Sequence, residues 1–208
     1  PVKLPRHAVE PPDLPYDTTF YPYGFPAEVR SNSESIVEQF RELWGRFDRQ
    51  RNSPPIRVEA QLVQNDATEC PPEPSYRLMM PLMICTADAH NYCIVDLDRC
   101  EAKIVISHAS LRHRRYAQYF LLGTAVSCIA TTHATPIHAG CVALDGCGVL
   151  LCGDSGAGKS TLSYACARQG WTYISDDASY LLHEGLERMG TGYGDKVGFS
   201  PSAAELLP

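Results

Sequence analysis

The stretch from Gly153 to Ser160 constrains the fold of this chain more than any other. It reads Gly-Asp-Ser-Gly-Ala-Gly-Lys-Ser and fits G-x-x-x-x-G-K-[ST], the phosphate-binding P-loop. An apolar run over residues 148–152 precedes it and predicts a buried strand, and residues 161–169 after it have helical character. This strand–loop–helix order is the context in which the motif binds phosphate, and a glycine-rich turn without a ligand is the weaker interpretation.

Each part of the motif has a physical role. Glycines let backbone N–H groups turn inward around phosphate oxygens, and the N-terminus of the following helix adds a partial positive charge. Lys159 is expected to reach the β- and γ-phosphates, and the Ser160 hydroxyl is expected to ligate Mg²⁺. The predicted nucleotide-binding residues are Gly153, Asp154, Ser155, Gly156, Ala157, Gly158, Lys159, Ser160 and Thr161.

A hairpin is predicted immediately before the P-loop. Residues 138–144 and 147–152 flank Asp145-Gly146, which is a strong signal for a two-residue turn. The same register would place His138 opposite Gly153, at the phosphate end of the sheet. There the imidazole could act on a transferring phosphoryl group or its acceptor, or it could simply hydrogen-bond the loop. The predicted pairs are Leu144 with Cys147, Val142 with Val149, and Gly140 with Leu151.

A pair of carboxylates follows the P-loop helix. Gly170 marks the end of that helix, and residues 171–175 predict a strand that ends at Asp176-Asp177. Ligands of open α/β sheets bind at the carboxyl ends of strands. One carboxylate can therefore hold Mg²⁺ and the other can accept a proton from an attacking hydroxyl, whereas a simple turn or helix cap is the alternative. Adjacent strand residues point to opposite faces, so their roles should differ.

Composition restricts the class of protein. The chain has 208 residues, 44% of them apolar, and a net charge of −6, which argues against a nucleic-acid partner. The chain has nine cysteines, an odd number, and no C-x-x-C motif. We therefore interpret them as buried thiols of a cytoplasmic protein. No apolar stretch is long enough to cross a bilayer, so we expect no membrane partner.

The rest of the chain predicts an N-terminal α+β region over residues 1–134. Residues 1–30 are rich in Pro and Tyr and predict an ordered arm without helix or central strand. One helix is expected from about 34 to 49 and another from about 110 to 131, on either side of a small antiparallel sheet expected over 55–107. Residues 135–208 form the predicted nucleotide-binding domain. We expect the α/β class for that domain and the α+β class for the chain as a whole.

With these motifs in order, residues 135–183 resemble the catalytic domain of the HPr kinase/phosphorylase family, which is related to phosphoenolpyruvate carboxykinase. The resemblance rests on His138 before the hairpin, the P-loop, the short helix to Gly170, and the strand ending in Asp176-Asp177. It implies a P-loop kinase fold that binds ATP and Mg²⁺ and phosphorylates a serine of HPr, a small carrier protein. It also implies that Asp176 is the catalytic base assisted by His138, that Lys159 contacts the β/γ-phosphates, and that Ser160 and Asp177 bind the metal.

The chain also differs from that family. Thr161-Leu162 follows the motif where HPr kinases usually have Glu, and the later glycine-rich signature is not recognisable. The acceptor therefore stays open between an HPr-like protein and a small molecule, and a nucleotide-binding regulatory module without phosphoryl transfer is the third interpretation. Homo-oligomers are possible on the same resemblance, and we expect further sequence after Pro208.

Overall fold

The computed structural model describes residues 12–64, 72–113, 116, 120–121, 123–183 and, for the backbone alone, 190–192. The fold is of the α+β class, with a mixed seven-stranded sheet and four α-helices in the described residues. The chain divides into two compact units, Pro1–Cys128 and Ile129–Pro208. The boundary placed between residues 134 and 135 from sequence stays a prediction.

The first unit contains the seven-stranded sheet, in the spatial order β1-β2-β3-β7-β6-β5-β4. Two of its pairs, β2–β3 and β3–β7, are parallel, and the others are antiparallel. Its strands are β1 (Tyr16–Phe20), β2 (Ala27–Ser31), β3 (Ile56–Val63), β4 (Ser75–Met79), β5 (Leu82–Asp88), β6 (Asn91–Asp96) and β7 (Glu101–Ser107).

Two predictions about this unit are wrong. The sheet is mixed, not antiparallel, because β3 pairs in parallel with β2 and β7 and not with β4, the strand that follows it in sequence. Alternation of apolar residues does not specify the partner of a strand. The proline-rich arm also supplies strands β1 and β2. Its prolines lie outside them: Pro15 precedes β1, Pro22 begins a 3₁₀ turn, and Pro26 precedes β2.

Helix α1 (Glu34–Trp44) has the predicted apolar face, which packs on β1 and β2. Phe40 and Trp44 are buried there with ring centroids 4.6 Å apart. The helix ends about five residues earlier than predicted, at Gly45.

The second predicted helix corresponds to two described helices, α2 (His108–Leu111) and α3 (Gly123–Thr132). It begins two residues earlier than predicted because the Ser107 hydroxyl accepts a hydrogen bond from the Ser110 N–H as an N-cap. Arg114 and Arg115, which belong to the second predicted helix, lie outside the described residues.

The second unit is built around one long strand, β8 (Ala134–Leu144). Three strands pair with it, each antiparallel: β9 (Cys147–Cys152), β10 (Thr172–Ser175) and β11 (Ala178–Leu182). A short strand, β12 (Gly190–Gly192), pairs with β11, and helix α4 (Lys159–Arg168) packs on β8, β9 and β10.

In the described residues, no helix is long and apolar enough to cross a membrane. Eight cysteines fall within them and all are free thiols; Cys70 lies outside. The expectation that these thiols are buried is wrong for Cys147 and Cys152. Strand β9, which carries both, is exposed or half-buried along its whole length, so it is not the buried strand that the apolar run predicts.

Candidate functional site

The hairpin before the P-loop has the predicted register. Leu144 pairs with Cys147, Val142 with Val149, and Gly140 with Leu151. Asp145 and Gly146 have φ angles of 51° and 80°, as a type I′ turn requires at both central positions. The ladder ends at the pair Ala139–Cys152, so His138 is one residue beyond the last pair and Gly153 begins the loop.

The two strand ends that carry candidate site residues lie at the same end of the sheet. Val142 pairs with Val149 of β9 and with Tyr173 of β10, so these strands lie on opposite edges of β8. Both run antiparallel to β8 and are therefore parallel to each other. The chain leaves β9 opposite Ala139 and leaves β10 opposite Cys141, which brings the P-loop and the aspartate pair to one end of the unit.

Asp176 and Asp177 join β10 to β11 along one edge of β8. Ser175 pairs with Cys141 and Ala178 pairs with His138, so the two aspartates span the intervening positions of the ladder. The Ser175 hydroxyl donates to the Ala178 carbonyl at 2.6 Å and bridges this interruption. The break in regular pairing gives the two carboxylates different environments.

Asp177 and His138 are in contact at the surface. The distance from His138 Nδ1 to Asp177 Oδ1 is 3.2 Å, and the side chains are 61% and 72% exposed. An exposed pair of this kind contributes little to stability, because water screens it. Its value lies in orienting the ring, since a carboxylate at Nδ1 favours the tautomer with the proton on that nitrogen.

Asp176 lies in a more enclosed environment. The residue is 9% exposed, and the Tyr173 hydroxyl donates to its Oδ1 at 3.0 Å. Burial, together with the hydrogen bond to this carboxylate, raises the pKa of Tyr173 above its usual value. Tyr173 was not singled out from the sequence, where it reads as one apolar residue of a short strand.

The P-loop is exposed from Gly153 to Gly158 and has the backbone geometry its glycines allow. Gly156 and Gly158 have φ angles of 84° and 90°, which residues with a β-carbon rarely adopt. Gly158 is also the N-cap of α4, and the Leu162 N–H donates to its carbonyl at 2.9 Å. The backbone N–H groups of the first helical turn therefore begin where the loop ends.

Lys159 is folded onto its own loop. Its Nζ donates to the carbonyls of Gly153 at 2.8 Å and Asp154 at 3.1 Å. These are interactions of an ammonium group with neutral oxygens at an exposed site, so an anionic ligand in the loop would compete for it effectively. Ser160 and Thr161 follow in the first turn of α4 and are half-buried.

Gly140 allows α4 to approach the sheet beside Asp176. A β-carbon at Gly140 would lie 2.7 Å from Ser163 Oγ, 3.4 Å from the Asp176 carbonyl oxygen and 3.5 Å from its Cα. Ser163 is fully buried, and its hydroxyl has no hydrogen-bond partner among the residues that the structure describes. Since strand residues two apart share a face, His138 lies on the same face of β8 as Gly140, beyond the start of α4.

A cavity of about 210 Å³ adjoins the histidine–aspartate pair. Its walls come from neighbouring segments of β8 and β11. The apolar residues that line it are Pro136, Ile137, Ala178 and Tyr180, and Ser179 lies beside them. The sequence offered no signal for this cavity, because it depends on which half of β8 pairs with β11.

The donor set suits Mg²⁺ bound together with phosphate. Among the described side chains, no three of His, Cys, Asp or Glu cluster as metal ligands. A nucleotide-associated Mg²⁺ takes most of its ligands from phosphate and water, so a serine hydroxyl and one carboxylate suffice, and both are hard oxygen donors. Ser160 and Asp177 fit that chemistry, and the open glycine loop fits a polyphosphate.

The structure thus brings His138 and Asp177 together at the middle of β8, next to the point where β9 ends and the P-loop begins, and places Asp176 beside Tyr173. Comparison of the chain with protein-family models, with curated proteins and with solved structures finds no match.

Proposed function

We propose that this chain is an ATP- and Mg²⁺-dependent phosphotransferase, related to HPr kinase/phosphorylase, that transfers the γ-phosphoryl group to a hydroxyl. The observation that carries the proposal is the contact of 3.2 Å between His138 and Asp177 at the end of the sheet from which the P-loop leaves. A loop that only bound nucleotide would have no need of an oriented imidazole beside it.

The nucleotide would be held by the loop and the first turn of α4. Backbone N–H groups from Gly153 to Thr161 would surround the phosphates, and Lys159 would exchange its two carbonyl partners for phosphate oxygens. Ser160 and Asp177 would hold Mg²⁺. When bound, the metal neutralises charge on the β- and γ-phosphates and keeps them in line with the acceptor.

The acceptor hydroxyl would give its proton to His138. Because Nδ1 faces Asp177, the proton of a neutral ring would lie on Nδ1, and Nε2 would carry the lone pair that takes the proton of the acceptor. Asp176 was assigned as the base from the family resemblance. Its burial and its hydrogen bond from Tyr173 favour a supporting role in which it fixes the end of β10. We therefore assign proton acceptance to His138, oriented by Asp177.

Three variants separate these roles. His138→Ala and Asp177→Asn should lower kcat for transfer by about 10²–10⁴-fold, the usual contribution of a general base. Binding of an ATP analogue without metal, measured by calorimetry, should change little. Asp145→Asn is the matched control, because Asp145 is an exposed carboxylate in the turn at the far end of the hairpin, where asparagine is also accepted.

The assay is transfer of labelled γ-phosphate from ATP to protein and small-alcohol acceptors. If Asp176→Asn abolishes transfer and His138→Ala does not, Asp176 is the base and our assignment is wrong. If ATP binds but no variant or acceptor gives transfer, the chain is a nucleotide-binding module and the proposed reaction fails.

A further inference from the structure

The seven-stranded sheet ends at β4, and this edge is apolar. Among the described strands, none pairs with β4 on the side away from β5. All five residues of β4 are exposed, and Arg77 is its one charged residue. Edge strands that stay unpaired usually carry several charges, a proline or a bulge, because their backbone groups otherwise pair with another chain. An exposed edge with this composition therefore indicates an interaction surface.

The solvent-facing side of the sheet changes from charged to apolar toward β4. On β2, β3 and β7 it carries ion pairs, in which Glu59 lies 3.9 Å from Arg30 and 3.4 Å from Lys103. Residues directly opposite each other in a ladder share a face. Lys103 pairs with Ile94 of β6, so this face continues into exposed apolar side chains. The β4 patch, as we call the exposed apolar cluster, consists of Tyr76, Leu78, Met79, Met80, Leu82 and Ile94.

The other face of β4 continues the core of the unit. Leu78 pairs with Met83 of β5, and Met83 pairs with Val95 of β6. Val95 is fully buried, whereas Leu78 at the end of the same row is 64% exposed. A further strand beside β4 would continue this row and cover Leu78. Both faces at this edge thus present apolar side chains to an added strand.

The backbone of Leu78 faces the open edge. Met79 and Leu82 close a two-residue turn, and the closing pair of such a turn is hydrogen-bonded. Met79 and Ser75 therefore direct their N–H and C=O groups toward β5, since every second residue of the strand does so. The Thr86 carbonyl, which accepts from Ser75 Oγ at 3.4 Å, lies on that side as well. Leu78 lies between these positions and directs its N–H and C=O away from β5.

The size of the β4 patch suits a dimer. Its six side chains are 36–64% exposed. Together they expose about 600 Å², if a fully exposed side chain of this size presents about 200 Å². That area is at the upper end of what a typical monomer leaves exposed, and a stable interface buries about 800 Å² on each partner. The backbone of β4 and the Arg77 side chain would supply the remainder.

We propose that β4 is a dimer interface: it pairs antiparallel with β4 of a second copy of this chain, about a twofold axis at Leu78, and joins the two sheets into one. This inference is independent of the proposed function. In that register Leu78 meets Leu78 of the second copy in a hydrogen-bonded pair, and Arg77 meets Met79 of the second copy. A register centred on Arg77 would set two like charges directly opposite each other, which is unfavourable. The sequence of β4 therefore suits its own copy, and a twofold contact closes after two chains.

The first test is sedimentation velocity of the full chain from about 1 to 100 µM under reducing conditions, a range in which we expect a dimer. Leu78→Asp should weaken dimerisation at least about a hundredfold, because two copies of the substitution meet at the axis, and each removes an apolar contact and adds a like charge. Tyr16→Asp is the matched control and should leave dimerisation unchanged, since Tyr16 is an exposed apolar residue of β1, the other edge strand of the sheet. Circular dichroism verifies that both variants fold.

The second test reads the register by disulfide cross-linking. Opposed residues of a hydrogen-bonded pair have Cα atoms about 5.5 Å apart, which a disulfide can span. Leu78→Cys should therefore cross-link to its own copy under mild oxidation, with the linked peptide identified by mass spectrometry. Arg77→Cys should not cross-link to its own copy, but it should cross-link to Met79→Cys when the two variants are mixed. Self-linkage of Arg77→Cys and not of Leu78→Cys would overturn the register.

Amide hydrogen exchange distinguishes a second copy from other occupants of the β4 patch. Exchange in residues 75–80 should slow as the concentration of the chain rises. A chain that is monomeric at about 100 µM would overturn the dimer. In that case, protection of residues 75–80 at every concentration would mean that another segment of this chain covers the patch. A dimer that Leu78→Asp and Tyr16→Asp weaken equally would have its interface elsewhere and would also overturn the proposal.

Discussion

The contact between Gly140 and Ser163 gives a prediction whose size can be worked out from the structure. A β-carbon at Gly140 would be 2.7 Å from the Ser163 hydroxyl, which is fully buried and, within the described part of the chain, has no hydrogen-bond partner. Overpacking of this kind costs about 1–3 kcal/mol. Replacing glycine by alanine where no strain results returns about 0.4–1 kcal/mol through the unfolded state. Gly140→Ala should therefore destabilise the second unit by about 1–2 kcal/mol.

Ser163→Ala should have the opposite effect. It removes a buried hydroxyl that lacks a partner, a group whose burial costs about 1–3 kcal/mol. In that background the closest remaining atoms to a β-carbon at position 140 are those of Asp176, at 3.4 and 3.5 Å, which are ordinary van der Waals distances. Gly140→Ala should then stabilise the unit by about 0.4–1 kcal/mol. The two substitutions should thus be coupled by about 1–3 kcal/mol, within the range for residues in contact.

The assay is native-state amide hydrogen exchange in urea, read on peptides from residues 134–152. Tryptophan fluorescence would not isolate the second unit, because each of the two units contains one of the two tryptophans. Gly148→Ala is the matched control, since a β-carbon there would have no described atom within 4 Å. Effects that add to within about 0.5 kcal/mol would mean that Ser163 simply turns away from the new methyl group, and the reasoning would be wrong.

Further predictions concern the loop, the turn and Tyr173. Lys159→Met should weaken ATP binding at least about tenfold in calorimetry, because charge-assisted hydrogen bonds contribute about 1.5–3 kcal/mol each, and an unchanged affinity would exclude Lys159 as a phosphate ligand. Gly146→Ala should cost about 1–2 kcal/mol in chemical denaturation because φ is 80° there, and a cost no larger than that of Gly148→Ala would contradict the type I′ assignment. The pKa of Tyr173 is raised by burial and by Asp176, so the unfolded chain releases that proton at lower pH than the folded chain. Stability should therefore fall as pH rises above the ordinary tyrosine range. Tyr173→Phe should make this fall of stability with pH less steep, and it should remove one late step from the ultraviolet titration of the tyrosines. An unchanged titration would argue against the raised pKa of Tyr173.

The hairpin was predictable because its information is local. Asp145 and Gly146 are residue types that accept positive φ, and a two-residue turn fixes every pair between Leu144 and Gly140 by counting. The pairing of β3 with β7 was not predictable in this way. The two strands lie far apart in sequence, and the same alternation of apolar residues suits a parallel or an antiparallel neighbour.

The candidate site shows the same limit. Alternation along a strand predicted different environments for Asp176 and Asp177, and one is indeed buried whereas the other is exposed. Both, however, lie in the bend between β10 and β11, so strand alternation is not the cause of the difference. Which of them meets His138 depends on the irregular pairing between Tyr173 and Ser175, which shifts the register just before the pair. Such an irregularity has no signature in this sequence, so Tyr173 and the contact of His138 with Asp177 required the structure.

The long strand β8 also has a consequence for how this chain tolerates insertions. A residue added to the turn at Asp145-Gly146 would lengthen a loop and leave the order of the strand unchanged. A residue added between His138 and Gly140 would turn His138 to the opposite face, away from α4 and the P-loop, because each step along a strand reverses the side chain. The number of residues in this part of β8 thus sets the position of the imidazole relative to the phosphate loop. We therefore expect insertions and deletions there to damage the candidate site far more than substitutions do.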